Sequence, residues 1–163
     1  MSAAPGADRP DLYDEIQELA ARYPVRRSAI MAALHLAQER HGGWLPPQAF
    51  RDVADALDLT PAYCQAVASF YDMYNLEPAG RHEVAVCTNV SCALRGAQQV
   101  LEAFERELGI RAGETTEDGE FSLRTFECLG GCGWAPVVAV DYRYHEPVRP
   151  EDVAGIVAEA RRG

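Results

Sequence analysis

The sequence predicts an α/β protein of the α+β type, in which a helical bundle precedes a domain that mixes strands and helices. Apolar residues recur at helical spacing between residues 11 and 76, as they do on the buried face of amphipathic helices. After residue 81, short apolar runs typical of strands alternate with helical segments. The segment 77–81 between the two patterns contains Pro and Gly, which interrupt regular structure. We therefore place a boundary there.

The N-terminal part contains signals for four helices. The first begins at Asp11 and is stopped by Pro24, because proline cannot continue a helix interior. The second begins within residues 25–28 and ends at Gly42–Gly43, and a third follows the turn at Pro46–Pro47. Together they predict a small helical bundle.

The fourth helix has the strongest start signal in the chain. Thr60 is suited to cap a helix N-terminus, and Pro61 is favoured at the first helical position. Helical spacing continues through three aromatic residues, Phe70, Tyr71 and Tyr74. We interpret these as core or partner-interface residues rather than as part of a cofactor site.

The C-terminal part has the predicted order β-α-β-β-β-α, which is the order of a thioredoxin-like domain. The predicted strands are 82–87, 121–127, 136–142 and 145–148, and the predicted helices are 92–108 and 151–162. The predicted domain organisation is therefore a flexible tail over 1–10, a helical domain over 11–80 and a thioredoxin-like domain over 81–163.

Composition excludes several classes of function. The net charge of −10 argues against nucleic acid as a partner, because phosphate binding needs clustered cations. No run of apolar residues is long enough to cross a membrane, and residues 1–10 lack the apolar segment of a signal peptide. Five cysteines in a reducing compartment indicate metal or redox chemistry rather than structural disulfides.

Four of the cysteines form two short clusters, Cys87 with Cys92 and Cys128 with Cys132. The first cysteine of each pair ends a predicted strand, and we expect both strands to belong to one sheet, so the two loops lie side by side at one edge. A [2Fe–2S] cluster takes four thiolates, two on each iron. The simplest assignment gives each sequence-local pair to one iron.

A glycine-rich stretch surrounds the second pair. Gly130, Gly131 and Gly133 allow the backbone to approach closely because they lack a Cβ. We expect their N–H groups to offset the negative charge of a thiolate-bound cluster. The apolar residues expected to shield the site from water are Val90, Leu129 and Trp134.

Two other uses of the four cysteines stay open at this point. They could bind one structural zinc, although zinc sites more often use two C-x2-C pairs. A dithiol–disulfide redox site is also conceivable, although the chain has no C-x-x-C. A Rieske centre is rejected because no histidine lies in either cysteine loop. The fifth cysteine, Cys64, is expected to be a buried core residue.

Motifs for nucleotide binding and for catalysis are absent from the sequence. There is no G-x-G-x-x-G and no P-loop, so we expect neither FMN nor NAD to be bound by this chain itself. No Ser–His–Asp or paired-carboxylate arrangement stands out. We therefore expect an electron-transfer subunit with no catalytic residues and no activity alone.

The residues resemble a known family over nearly the whole chain. The matching stretches include Ser28–Met31, Gly42–Leu45, Val67–Tyr71, Val86–Cys92 and Glu127–Val137. They are similar to the 24 kDa (E) subunit family of respiratory NADH:quinone oxidoreductase (complex I), whose members are thioredoxin-like [2Fe–2S] ferredoxins.

This resemblance implies one [2Fe–2S] cluster with ligands at Cys87, Cys92, Cys128 and Cys132. It also implies a partner that binds FMN and NADH, the 51 kDa-type (F) subunit, within the peripheral arm of the complex. The expected location is cytoplasmic, on the inner face of the bacterial membrane, without direct insertion. The equivalent subunits of NAD-dependent hydrogenases and formate dehydrogenases remain alternatives, with a zinc or thiol-redox adaptor as a more distant one.

Overall fold

The computed structural model describes residues 11–162, which form two compact units that divide the chain between Pro78 and Ala79. The tail predicted over residues 1–10 lies outside the described residues. The domain boundaries inferred from the sequence stay predictions. Each unit has its own hydrophobic core.

The first unit contains the four predicted helices. They are α1 (Leu12–Ala20), α2 (Ile30–Arg40), α3 (Pro47–Leu57) and α4 (Pro61–Ala68). A 3₁₀ turn over Arg26–Ala29 leads into α2. Thr60 caps α4 as predicted, because its hydroxyl accepts a hydrogen bond from the N–H of Tyr63 at 3.2 Å.

The fourth helix is shorter than its sequence pattern. It ends at Ala68, so the predicted continuation through the aromatic residues is wrong. The segment after it is held by α2 instead: the hydroxyl of Tyr74 donates to the carbonyl of Met31 at 2.8 Å, and the side chain of Gln38 donates to the Met73 carbonyl at 3.1 Å. Tyr74 is buried, whereas Phe70 is 79% exposed. The hydrogen bonds to α2 therefore determine the conformation of this segment more strongly than its helical sequence pattern does.

The second unit is built on a four-stranded sheet. Its strands are β1 (His82–Cys87), β2 (Phe121–Phe126), β3 (Val138–Val140) and β4 (Arg143–His145), and its helices are α5 (Val90–Leu94), α6 (Ala97–Leu108) and α7 (Val153–Ala160). The strand order is β2-β1-β3-β4, with β1 and β2 parallel and the other two pairings antiparallel. The predicted α+β class and the thioredoxin-like element order are confirmed.

Several predicted elements differ in detail, among them the strand predicted over 136–142, which spans only Val138–Val140. The single helix predicted over 92–108 is broken into α5 and α6, because Gly96 adopts a left-handed conformation with φ of 96° that ends a helix. The last strand begins at Arg143 instead of near residue 145. Asp141 and Tyr142 both have positive φ and form a tight turn directly after β3, as in two-residue hairpins. No helix within residues 11–162 has the length and apolar character to cross a membrane.

The segment just before β1 leaves no room for a side chain at Gly80. A Cβ there would lie 2.5 Å from the carbonyl carbon of Phe121 and 2.7 Å from the amide nitrogen of Ser122. We expect Gly80→Ala to lower the free energy of unfolding by about 1–3 kcal/mol through this overpacking. Gly155, exposed in α7 with no atom near its Cβ position, is the matched control. Gly155→Ala should raise stability by about 0.5–1 kcal/mol, and urea unfolding that gives both variants the same sign would contradict the packing.

Cys64 is fully buried in the helical core, as expected from the sequence. Burial raises the pKa of its thiol to about 11. At pH 8 it should therefore carry roughly 100-fold less thiolate than a thiol of pKa near 9, and alkylation should be correspondingly slow. Peptide-resolved mass spectrometry after iodoacetamide treatment should find Cys64 unmodified in the folded protein and modified in urea. Rapid labelling of the folded protein at pH 8 would contradict its burial.

Candidate metal centre

The ends of the two parallel strands bring the cysteine loops to the same edge of the sheet. In the β1–β2 register, Cys87 lies opposite Phe126, and the N–H of Thr88 donates to the Phe126 carbonyl at 3.0 Å. Cys128 follows two residues later in the chain. The adjacency of the two strands expected from the sequence is therefore present.

Cys87 and Cys92 form the buried half of the site. Both are almost inaccessible to solvent, at 2% and 1% exposed, and their thiols are hydrogen-bonded to each other. The two cysteines share a small apolar cluster with Ala97, Ala135 and Val137. Short helix α5 carries Cys92 back towards Cys87, since it begins directly after the β1 loop.

Cys128 and Cys132 form the exposed half. Cys132 opens a 3₁₀ turn over Cys132–Trp134, and it lies close enough to Cys92 for its charge to affect that thiol. Cys128 directly precedes Leu129, whose N–H is directed at the sulfur of Cys87. Three of the four candidate ligands are thus near one another in the structure, and the fourth is attached to a residue that contacts them.

The pKa values of the two buried thiols shift in opposite directions. Burial, the largest single influence, raises the pKa of Cys87, but N–H groups of Leu129 and Asn89 and the Cys92 thiol outweigh it and hold that pKa below the ordinary value. Burial and the hydrogen bond to Cys87 raise the pKa of Cys92 to about 11, against a lowering by the N–H of Val137. One member of the pair is therefore the preferred thiolate.

In the buried half of the site the sulfurs receive N–H groups of residues other than the predicted glycines, and the donor role expected of Gly130, Gly131 and Gly133 stays a prediction. The N–H groups directed at sulfur belong to Asn89, Leu129 and Val137. The sequence could not identify them, because a backbone donor does not depend on the type of side chain. Among the three predicted glycines, Gly130 has a positive φ of 81°, and a Cβ at Gly131 would lie 3.0 Å from the Val137 side chain. A Cβ at Gly133 would meet nothing within 4 Å, so packing does not require glycine there.

The donor set fits a [2Fe–2S] cluster. The four candidate thiolates occur as two pairs, Cys87 with Cys92 and Cys128 with Cys132, and the ligands of such a cluster divide in twos between two irons. Backbone N–H groups on sulfur are also what a buried anionic cluster needs.

The rim of the site is apolar and exposed. Val90, Leu94 and Trp134 are 66%, 82% and 64% exposed, and they lie on α5 and on the turn that follows Cys132. Of the three residues expected to shield the site from water, only Leu129 is partly buried against the buried cysteines. Shielding at Val90 and Trp134 would need a second surface.

Curated relatives resemble this chain over most of their length. One of them, the second E-type chain of the NADH-quinone oxidoreductase of Rhizobium meliloti, is 48% identical over 134 residues, which are 82% of this chain and 79% of the relative. The E-type chain of the NADH-quinone oxidoreductase of Rickettsia bellii is 40% identical over 147 residues, which are 89% of this chain and 88% of the relative.

A solved structure shares the fold. One chain of an NAD⁺-reducing [NiFe]-hydrogenase in the air-oxidized state matches with a TM-score of 0.73 at 22% identity. The match covers 82% of this chain and 23% of the hydrogenase chain.

The family model described as thioredoxin-like [2Fe–2S] ferredoxin matches residues 16–161. The chain therefore belongs to the thioredoxin-like [2Fe–2S] ferredoxin family.

Proposed function

We propose that this chain is the E-type electron-transfer subunit of an NADH:quinone oxidoreductase, with one [2Fe–2S] cluster held by Cys87, Cys92, Cys128 and Cys132. The observation that carries the proposal is the pair of cysteine loops at one edge of the sheet, with backbone N–H groups directed at the buried sulfurs. Relatives named as E-type chains of that enzyme, at 48% and 40% identity over most of both chains, support it.

The chain's own residues would bind the group and set its surroundings. When bound, a [2Fe–2S] cluster supplies a carrier for one electron. The four thiolates would hold it, and the N–H groups of Asn89, Leu129 and Val137 would offset its negative charge. The apolar cluster around Cys87 and Cys92 would exclude water from the buried side.

The oxidation of NADH would take place on a partner. The sequence has no dinucleotide or phosphate-binding motif, so this chain would serve a non-catalytic role. The partner that fits is the one that binds FMN and NADH, the 51 kDa-type (F) subunit, on the cytoplasmic side of the membrane. The exposed apolar rim of Val90, Leu94 and Trp134 supports such docking, because large exposed apolar residues that lie together often mark an interface.

The cluster assignment predicts metal content. Protein purified without oxygen should contain about two iron and two sulfide per chain and give a rhombic EPR signal on reduction. Serine at any one of the four cysteines should reduce the iron content or change the signal. Cys64→Ser is the matched control and should leave both unchanged, because Cys64 is buried in the helical core. Stoichiometric zinc without visible absorbance would overturn the assignment.

The docking surface predicts which exposed residues the complex needs. We expect Trp134→Ser and Leu94→Ser each to weaken binding to the FMN-binding partner roughly tenfold or more, as loss of buried apolar contacts does at interface hot spots. Ala154→Ser, at an exposed position in α7, should bind as the unaltered chain does. Binding is measured by titration with the purified partner, and iron content is measured in each variant. Unchanged affinity in both rim variants would exclude this surface.

A further inference from the structure

One hydrogen bond joins the last hairpin of the sheet to the second cysteine loop. The hydroxyl of Tyr144, in β4, donates to the backbone carbonyl of Leu129 at 2.5 Å. The N–H of the same Leu129 is directed at the sulfur of Cys87. Leu129 is therefore held from both sides, by a phenol on its carbonyl and by a candidate ligand on its amide.

We propose that Tyr144 is a positioning residue for the metal centre, which keeps the Leu129 N–H on the Cys87 sulfur. This inference rests on the proposed [2Fe–2S] function, and it names a residue outside both cysteine loops as part of what sets the properties of the site.

The hairpin that carries Tyr144 is firmly attached to the sheet. Tyr144 lies opposite Ala139 in the β3–β4 pairing. The turn before it is fixed by Asp141, whose carboxylate accepts from the N–H of Glu83 at 2.9 Å and is hydrogen-bonded to Nδ1 of buried His82 at 2.7 Å. Because both of these partners belong to β1, the turn that precedes the phenol is tied to the neighbouring part of the sheet.

The loop that contains Leu129 is otherwise weakly restrained. Gly130 follows Leu129 with a left-handed φ of 81°, and its Cβ position has no neighbour within 4 Å. A glycine without neighbouring atoms does little to fix the backbone conformation of the residues next to it. Cys128 on the other side is exposed. Leu129 itself packs against the buried cluster that contains Cys87 and Cys92, so its side chain and its carbonyl together determine where its N–H points.

The position of this N–H has an electronic consequence. Reduction adds negative charge to a thiolate-bound cluster, and a donor on a ligand sulfur stabilises that charge. Loss of the donor, or its displacement from the sulfur, should make the reduced state harder to reach. Tyr144 is 47% exposed, so removal of its hydroxyl leaves no buried cavity and should let the chain fold.

The test compares Tyr144→Phe with the unaltered chain and with Tyr63→Phe, which removes an exposed phenol hydroxyl from α4. Three quantities are measured on each protein as isolated: iron and sulfide content, the midpoint potential by EPR-monitored titration, and hydrogen exchange of the peptide that spans residues 127–131 in the oxidised state. We expect Tyr144→Phe to retain the cluster, to shift the potential to more negative values and to exchange faster in this peptide. Tyr63→Phe should match the unaltered chain in all three.

The outcomes separate this inference from the proposed function. If the unaltered chain holds no iron and sulfide, the proposed function fails and this inference fails with it. If it holds them but Tyr144→Phe has the same potential and the same exchange, only the role of Tyr144 is overturned. An equal shift in Tyr63→Phe would also overturn it. If Tyr144→Phe loads poorly, exchange decides: faster exchange confined to 127–131 supports the role, and unchanged exchange there overturns it.

Discussion

The parallel pairing of β1 with β2 is the constraint on which the candidate site depends. Parallel strands have their carboxyl ends at the same edge of a sheet, so the loops that follow them are neighbours. The register that sets Cys87 opposite Phe126 brings loops from distant parts of the sequence to this edge. The chain between the two strands contains α5 and α6, which provide the crossover that parallel pairing requires.

This pairing brings buried thiols together, and backbone N–H groups offset the free-energy cost of ionising them. Thiolates in a buried site are costly unless they are hydrogen-bonded. N–H groups from both cysteine loops and from Val137 are directed at the sulfurs of Cys87 and Cys92. The two thiols nevertheless have opposite pKa shifts, because they share one hydrogen bond and only one is readily ionised. Metal ligands must be deprotonated, so metal binding here would have to displace the proton of Cys92.

The site is closed on one side and open on the other. Cys87 and Cys92 lie in an apolar cluster, whereas Cys128 and Cys132 are exposed beside an apolar rim. Such an arrangement suits a redox group that must be held by one protein and reached by another. The hydrogen bond of Tyr144 to Leu129 extends the supporting structure beyond the cysteine loops to the β3–β4 hairpin.

Local signals in the sequence were enough for much of the fold. Thr60 and Pro61 predicted the start of α4, and the short apolar run over 82–87 predicted β1 with its observed bounds. These signals work because a cap or an apolar period acts within a few residues. The four cysteines likewise indicated a cluster from spacing and type, since the chemistry of thiolate ligands restricts the choice of metal.

The sequence by itself thus determined the class of the fold, the order of its elements and the four cysteines that we propose as ligands. The tertiary structure alone decided where α4 ends, which amides face the sulfurs and which side chain supports Leu129. In each of these cases the partners are brought together by folding, as Tyr74 is with Met31 and Tyr144 with Leu129. A hydrogen bond between residues far apart in the chain leaves no periodic pattern, and a backbone N–H is common to almost every residue.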